Sequence, residues 1–420
     1  MERVILHSDI NACYASIEQL YHPELRNVPL AVGGDPEARH GIVLAKSEMA
    51  KKAGVKTGMA LWQAKQVCPN IVFVPPRMDL YLKFSRLAHE IYADYTDLQE
   101  PFGIDESWLD VTGSAIKGDG MTIAREISAR FKKELGITVS IGVSWNKIFA
   151  KLGSDYKKPD AITEINKENY RDIVFPLPAS DLLYVGPATT KKLVRYGIRT
   201  IGQLAETDPE FLHRVFGEMG YVLSVFANGA DRTPVSLENT EAPIKSIGNS
   251  TTTPRDLVND NDVAIVVQLL SESVASRLRD NGFAGYVVEI YVRDNELFSF
   301  TRQHKISFPT NISTEIAKEA MTLFRDHYSW KKPIRSVGVR VSDLVQDTTP
   351  YQLDLYTDPY LRERKLTIDR TVDDLRRRFG FGTIQRGCMY KDRKLSSLNA
   401  KEDNTVHPHG YMERGNRVGV

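Results

Sequence analysis

Ser8-Asp9-Ile10-Asn11-Ala12-Cys13-Tyr14-Ala15-Ser16-Ile17-Glu18 carries the chain from a strand into a helix within a few residues and leaves an acid at the junction. Upstream, Arg3 to Ile10 reads as a strand. Downstream, Cys13 to Tyr21 sets Tyr14, Ile17 and Tyr21 at helical spacing. A mixed segment follows, then the amphipathic stretch Leu80 to Tyr95. Leu98 to Phe102 and Ser107 to Val111 read as short strands joined by Gly103-Ile104-Asp105-Glu106, a hairpin with acids at its tip. Ile137 to Val143 adds a strand, and Trp145 to Tyr156 a helix that stops near Lys158-Pro159. Elements mixed in this way predict an α+β sheet domain.

Residues 170 to 233 read as largely helical, with turns at Val185-Gly186-Pro187-Ala188 and Tyr196-Gly197. Short helix, glycine turn and helix suggest a helix-hairpin-helix unit that offers backbone N–H groups, Lys191 and Lys192 to a phosphate. An ordinary helical connection, with Pro187 removing one donor, is the alternative. A linker follows around Ser236 to Pro243. Beyond it the order is strand (Ile247 to Thr252), helix (Asp260 to Arg279), strand (Tyr286 to Arg293), strand (Phe298 to Ser307), helix (Ser313 to His327) and strand (Ile334 to Ser342). This β-α-β-β-α-β order places both helices on one sheet face. Ser299, Thr301, Gln303, Lys305 and Ser307, with Ser336, Gly338, Arg340 and Ser342, then fall on the other face. That face is either plainly solvated or laid against a nucleic-acid backbone. A last helix is expected over Thr367 to Phe379, and a disordered end after about Ser396.

At 420 residues the chain exceeds what one core ordinarily serves, so roughly two to four domains are expected. The N-terminal apolar run, broken by His7, Ser8 and Asp9, is too short for a signal peptide or a membrane span. Cys13, Cys68 and Cys388 lie far apart with no metal-ligand spacing, as expected of free thiols in a reducing cytosol. The net charge of +1 is uninformative, but its distribution is not. Glu90 to Asp110 holds seven acids and no Lys or Arg, whereas Arg362 to Lys394 holds eleven basic residues against five acids. Each run taken alone is as readily a solvated face, but the contrast suits an acidic metal centre in one domain and phosphate-facing surface elsewhere.

Asp9, Asp105 and Glu106 stand where a strand end and a neighbouring hairpin of one sheet would bring three carboxylates together. Like charges so close repel strongly, and cations must offset them. Oxygen-only ligands suit Mg²⁺ or Mn²⁺, and a pair of such ions is the usual device for in-line phosphoryl transfer. The plainer alternative makes Asp9 and Asn11 helix caps and Asp105-Glu106 a polar turn.

The opening stretch resembles the first motif of the Y-family DNA polymerases, most nearly their DinB branch of bacterial DNA polymerase IV type. Gly103 to Ser107 resembles the second metal motif, and Ser140 to Lys147, through Ala150-Lys151 to Lys158-Pro159, the third. Lys245 to Gly248 and Thr253-Pro254-Arg255 resemble the start of the little finger. The resemblance spans about residues 1 to 390. It implies a multidomain right hand, with palm in 1–12 and 79–168, fingers in 13–78 and a helical thumb in 169–234. A linker in 235–244, a little finger in 245–346 and a C-terminal segment in 347–420 complete it. It implies lesion-bypass DNA synthesis in the cytoplasm by a monomer, from dNTPs on primer-template DNA, without proofreading and at low fidelity. By the same resemblance Asp9 and Asp105 are metal ligands for two Mg²⁺ ions, with Glu106 the third catalytic carboxylate. Lys51, Lys158 and amides at the start of the Cys13 helix steady the triphosphate, and Tyr14 stands as steric gate against a ribose 2′-hydroxyl. Lys191, Lys192, Arg255, Lys305 and Arg340 would contact DNA. Gln352, Leu353, Leu355 and Tyr356, in Gln352-Leu353-Asp354-Leu355-Tyr356, resemble a sliding-clamp-binding peptide. Cys13, Glu48 and Gly103 depart from the family, standing where an aromatic, a phosphate-contacting tyrosine and a serine are usual. Two other classes fit parts of the pattern: a non-catalytic clamp- and DNA-binding protein, and another palm-type nucleotidyl enzyme such as a cyclase.

Overall fold

The computed structural model describes residues 2–34, 41–237, 240, 243–354 and 357–397. The described residues form two compact units, one up to residue 240 and one from 243 onward. None of their helices is long and apolar enough to cross a membrane.

In chain order the first unit begins β1 (Ile5–Ile10), α1 (Cys13–Tyr21), β2 (Leu30–Gly33), β3 (Val43–Lys46), α2 (Glu48–Lys52), α3 (Leu61–Val67) and β4 (Val72–Val74). It continues α4 (Met78–Ala93), β5 (Gln99–Pro101), β6 (Glu106–Asp110), α5 (Gly120–Arg130), β7 (Val139–Ser144), α6 (Lys147–Tyr156) and β8 (Ile162–Glu164). Five strands make one sheet in the order β5-β6-β1-β7-β8. β1 is central and buried along its whole length, its polar His7, Ser8 and Asp9 included. The helix α6 lies against β1 and β7 because of Gly142. A Cβ there would fall 1.9 Å from the Ala150 carbonyl oxygen, so only glycine admits this backbone contact. The segment read as mixed forms a second sheet, β3-β2-β4, over a core that includes Val43, Val55, Leu61 and Ile71.

Short helices α7 (Tyr170–Val174), α8 (Pro187–Arg195), α9 (Ile201–Glu206), α10 (Pro209–Phe216) and α11 (Glu218–Ala227) close the unit. Their leucines (Leu193, Leu204, Leu212, Leu223) share a core with Phe149 and Leu152 of α6. Gly186 is the N-cap of α8 with Pro187 in its first turn, where a missing N–H costs nothing.

The second unit runs β9 (Ser246–Leu257), α12 (Asp260–Asp280), β10 (Phe283–Asp294), β11 (Ser299–Thr310), α13 (Ser313–His327), β12 (Ile334–Gln346) and α14 (Pro359–Phe379). This is the expected β-α-β-β-α-β order, in an antiparallel sheet β11-β10-β12-β9. Val288, Ile290, Val292, Val337, Val339 and Val341 share one core with Val266, Leu270, Ile316 and Phe324 of the two helices.

α14 starts at Pro359 rather than Thr367. Asp358 accepts from the N–H groups of Tyr360 at 2.9 Å and Leu361 at 3.2 Å, and Pro359 takes the first helical position. The basic run after Arg362 also departs from the expected phosphate-facing role, since several of its arginines turn inward. Arg362 meets Glu315 at 3.1 Å, Arg376 meets Glu272 at 2.9 Å, and Arg386 meets Glu272 at 2.6 Å and Asp369 at 2.9 Å. Met389 and Leu395 join the apolar core. The residues from 359 to 396 therefore form a further layer on this unit. The tail beyond residue 397 lies outside the described residues.

Candidate active site

The central strand β1 and its neighbour β6 bring the acids together. Asp9, next to last in β1, is the register partner of Glu106, which opens β6. Asp105 lies in the bend just before β6, and its carbonyl accepts the Ile10 N–H at 2.9 Å. Glu106 is thus a strand residue, not part of the hairpin tip. Gly103 holds φ at +93°, a backbone conformation that favours glycine.

Burial pushes the Asp9 carboxyl up to about 6, and the Glu106 carboxylate adds to the shift, against Lys158. Burial, then Asp9 and Glu106, push Asp105 up to about 7. Glu106 raises Asp9, and both raise Asp105, because like charges this close repel.

Two lysines counter this charge. Lys158 donates to Asp9 and reaches Asp155 at 2.7 Å, and Lys151 of α6 meets Glu106 at 2.5 Å. Burial disfavours the charged Lys158, but Asp9 and Asp155 outweigh it and raise its pKa. His7, fully buried in β1, sets Nδ1 2.8 Å from the Ser154 hydroxyl and Nε2 3.4 Å from Glu106. Burial, helped by Lys151, lowers His7 to about 3, so it stays neutral. With lysines on Asp9 and Glu106, the described residues hold no group of three or more His, Cys, Asp or Glu already arranged for a metal ion. The donor chemistry nevertheless fits a hard divalent cation: three carboxylates line one cavity, two of them with raised pKa, and the one histidine beside them, His7, is held neutral in the sheet.

A cavity of about 390 Å³ opens on these acids, lined also by Tyr14, Lys46, Glu48, Lys51, Thr57 and Lys158 and by residues 10–13. The cap reading of Asp9 and Asn11 does not hold. The N-cap of α1 is Ala12, with no side-chain cap bond, while the Asn11 amide joins the hydroxyls of Thr138 and Ser140. Ala12 takes a left-handed φ of 47°, a strained conformation for a residue with a Cβ, and the uncapped turn after it borders the cavity. Tyr14 is half-buried at the cavity and stacks on Tyr81, ring centres 4.2 Å apart. Glu48 lies 3.6 Å from Lys51. Cys13 is buried, and that burial, with Asp105 and Asp9 nearby, pushes its thiol up.

The other candidate residues have varied surroundings. Lys191 is exposed on α8, whereas Lys192 turns back to the Val215 carbonyl and the Phe216 ring, 4.9 Å from its centre. Lys305 and Arg340 are exposed on the polar sheet face, paired with Asp343 at 2.8 Å and Glu289 at 2.5 Å. Arg255 is held elsewhere, between Asp262 and Asp392, each at 2.7 Å. Gln352 is exposed and Leu353 half-buried, while Leu355 and Tyr356 lie outside the described residues. Sequence reasoning gave no role to His7, Lys151, Lys46 or Thr57. For His7 and Lys151 the signal was spacing: two residues before Asp9, and seven before Lys158.

Comparison with known proteins gives a consistent result. Residues 8–155 match the impB/mucB/samB family, and residues 244–355 match that family's C-terminal domain. A protein of Acetivibrio thermocellus named DNA polymerase IV is 50% identical over 399 residues, covering 95% of this chain and all of that protein. DNA polymerase IV 1 of Bacillus subtilis is 38% identical, covering 93% of this chain and 94% of its own. Among solved structures, a Y-family DNA polymerase chimera aligns with a TM-score of 0.71 at 22% identity, over 82% of this chain and 99% of that one. This last likeness speaks for the fold.

Proposed function

The chain belongs to the impB/mucB/samB family of Y-family DNA polymerases, and on that footing we propose how its cavity performs template-directed DNA synthesis across damaged template. Low fidelity and the absence of proofreading follow from the family. The observation that carries the reading is the meeting of Asp9, Asp105 and Glu106 beside a cavity walled by Tyr14 and several lysines.

Asp9 and Asp105 act as metal ligands, with Glu106 the third catalytic carboxylate, toward two Mg²⁺ ions, with Mn²⁺ as a substitute. Divalent cations held by these carboxylates would supply activation of the primer hydroxyl and charge stabilisation of the departing pyrophosphate. Lys51, Lys158 and the uncapped amides of α1 bind the triphosphate, since cations and a helix N-terminus both favour a polyanion. Lys158 keeps Asp155 as a partner when it turns from Asp9 to phosphate. Tyr14, backed by Tyr81, sits under the sugar and excludes a 2′-hydroxyl.

Residues 1–12 and 79–168 serve as palm, 13–78 as fingers, 169–234 as thumb and 245–346 as little finger, with 235–244 the linker between. Lys191, Lys192, Lys305 and Arg340 contact the DNA backbone, with Arg255 a weaker candidate because two carboxylates already hold it. Gln352, Leu353, Leu355 and Tyr356 bind a sliding clamp, and the enzyme works as a monomer in the cytoplasm.

The test is extension of a primed template with dNTPs and Mg²⁺, comparing the wild type with Asp105→Ala. Extension by the wild type alone supports the assignment. Equal extension by both would remove the metal role, and extension by neither would favour a non-catalytic DNA-binding protein.

A further inference from the structure

One wall of the cavity comes from the end of β3 and the turn after it. Lys46 closes β3, pairing with Ala31 of β2, and its ammonium donates to the Thr57 hydroxyl at 3.0 Å. Lys46, Thr57, Glu48 and Lys51 all line the cavity. Two ammonium groups thus share this wall with one carboxylate, and Glu48 lies beside Lys51 at 3.6 Å. Burial lowers the Lys46 pKa and repulsion from Lys51 lowers it further, against Glu48. An anion entering here would relieve that repulsion, and Thr57 holds the Lys46 side chain in place to meet it. The proposed reaction brings a triphosphate into this same cavity. We propose that Lys46, positioned by Thr57, is a further nucleotide-binding cation that contacts the incoming triphosphate and offsets the repulsion from Glu48. The inference rests on the polymerase reading above. It also explains how an acid is tolerated at position 48, where phosphate must approach.

Single-nucleotide insertion by Lys46→Ala, Lys46→Arg and Lys46→Ala with Glu48→Gln tests it, alongside the Kd for primer-template DNA. One lost charge-assisted contact raises the KM for dNTP about tenfold, with kcat and DNA affinity changing far less. Lys46→Arg recovers most of the nucleotide affinity. Adding Glu48→Gln to Lys46→Ala recovers part of it, because the uncompensated acid is gone. An unchanged KM in Lys46→Ala would overturn the inference, and so would a loss confined to DNA affinity. Equal loss in Lys46→Ala and Lys46→Arg, with both melting early, would show a structural role and also overturn it. A wild type that extends no primer would instead remove the polymerase reading itself, and this inference with it.

Discussion

Replacing Asp105 by asparagine should stabilise the metal-free protein while abolishing synthesis. Asp105 titrates near 7 in the fold against an ordinary 3.8, held up by burial and then by Asp9 and Glu106. Below the ordinary value, folded and unfolded chains both carry the proton, and the residue is neutral toward stability. Between about 4 and 7 the unfolded chain ionises first. The stability contributed by Asp105 therefore falls as pH rises, and levels off above the folded value. At 1.36 kcal/mol per unit, the burden reaches about 4 kcal/mol at pH 8 and about 2 kcal/mol at pH 5. Asparagine has similar shape and no charge, so Asp105→Asn should gain about those amounts at the two pH values. The assay is urea denaturation in the presence of a chelator. Trp62, Trp108 and Trp145 belong to the first unit, so fluorescence reports mainly its unfolding. A variant no more stable than the wild type at pH 8, or a gain equal at both pH values, would refute the reasoning. Adding Mg²⁺ should narrow the gap, because it stabilises the ionised wild-type acids and has less to bind in the variant.

Further outcomes follow from other parts of the molecule. Tyr14→Ala should raise ribonucleotide incorporation in primer extension, and unchanged sugar selectivity would remove Tyr14 from the gate role. Gly142→Ala should cost about 3 kcal/mol or more in denaturation, since its methyl would sit 1.9 Å from a backbone oxygen; a variant of full stability would contradict the close β7–α6 contact. Asp369, almost wholly buried, accepts from Arg279, Arg386 and both the N–H and hydroxyl of Ser313. Asp369→Ala should destabilise the second unit by about 3–5 kcal/mol, seen as faster proteolysis of α14, and unchanged protection would count against the inward-facing arginine network. Deleting Gln352 to Tyr356 should weaken binding to a sliding clamp while distributive synthesis persists, and a deletion that keeps full clamp affinity would oppose the proposal.

The regular elements were legible where one periodicity dominated. β12 alternates apolar residues over Val337 to Val341 and α13 has a clear apolar stripe, so α13 was found at its bounds and β12 from its first residue, though four residues short of its end. The small sheet of β2, β3 and β4 was not, because strands of three or four residues carry too few side chains for any period to emerge. The start of α14 was readable in Asp358-Pro359 but was hidden by the charged residues after it. Those charges also misled, since a count of arginines cannot tell that Arg362, Arg376 and Arg386 face acids of the same unit. The acids of the site were legible because a strand end beside a hairpin brings residues from distant stretches together. Their counter-ions were not. Lys151 reaches Glu106 only because α6 lies close on the sheet, which depends on Gly142 and on which way one helix face turns.

The way the cavity holds its charge bears on how such a site stays folded without ligands. Three carboxylates left alone in a dry pocket would either neutralise by taking up protons or push the sheet apart. Both escapes are partly used, with Asp9 and Asp105 titrating high and lysines lying on Asp9 and Glu106. The lysines are not locked to these acids, however. Lys158 and Lys151 each have Asp155 as a second partner, at 2.7 and 3.8 Å. Asp155 is thus a resting place for positive charge: either ammonium can leave Asp9 or Glu106 without becoming unpaired. The cost of freeing Asp9 and Glu106 is then much smaller than that of breaking an isolated buried pair. Asp155 in this way lets Asp9 and Glu106 be stabilised by lysine and still be released from it.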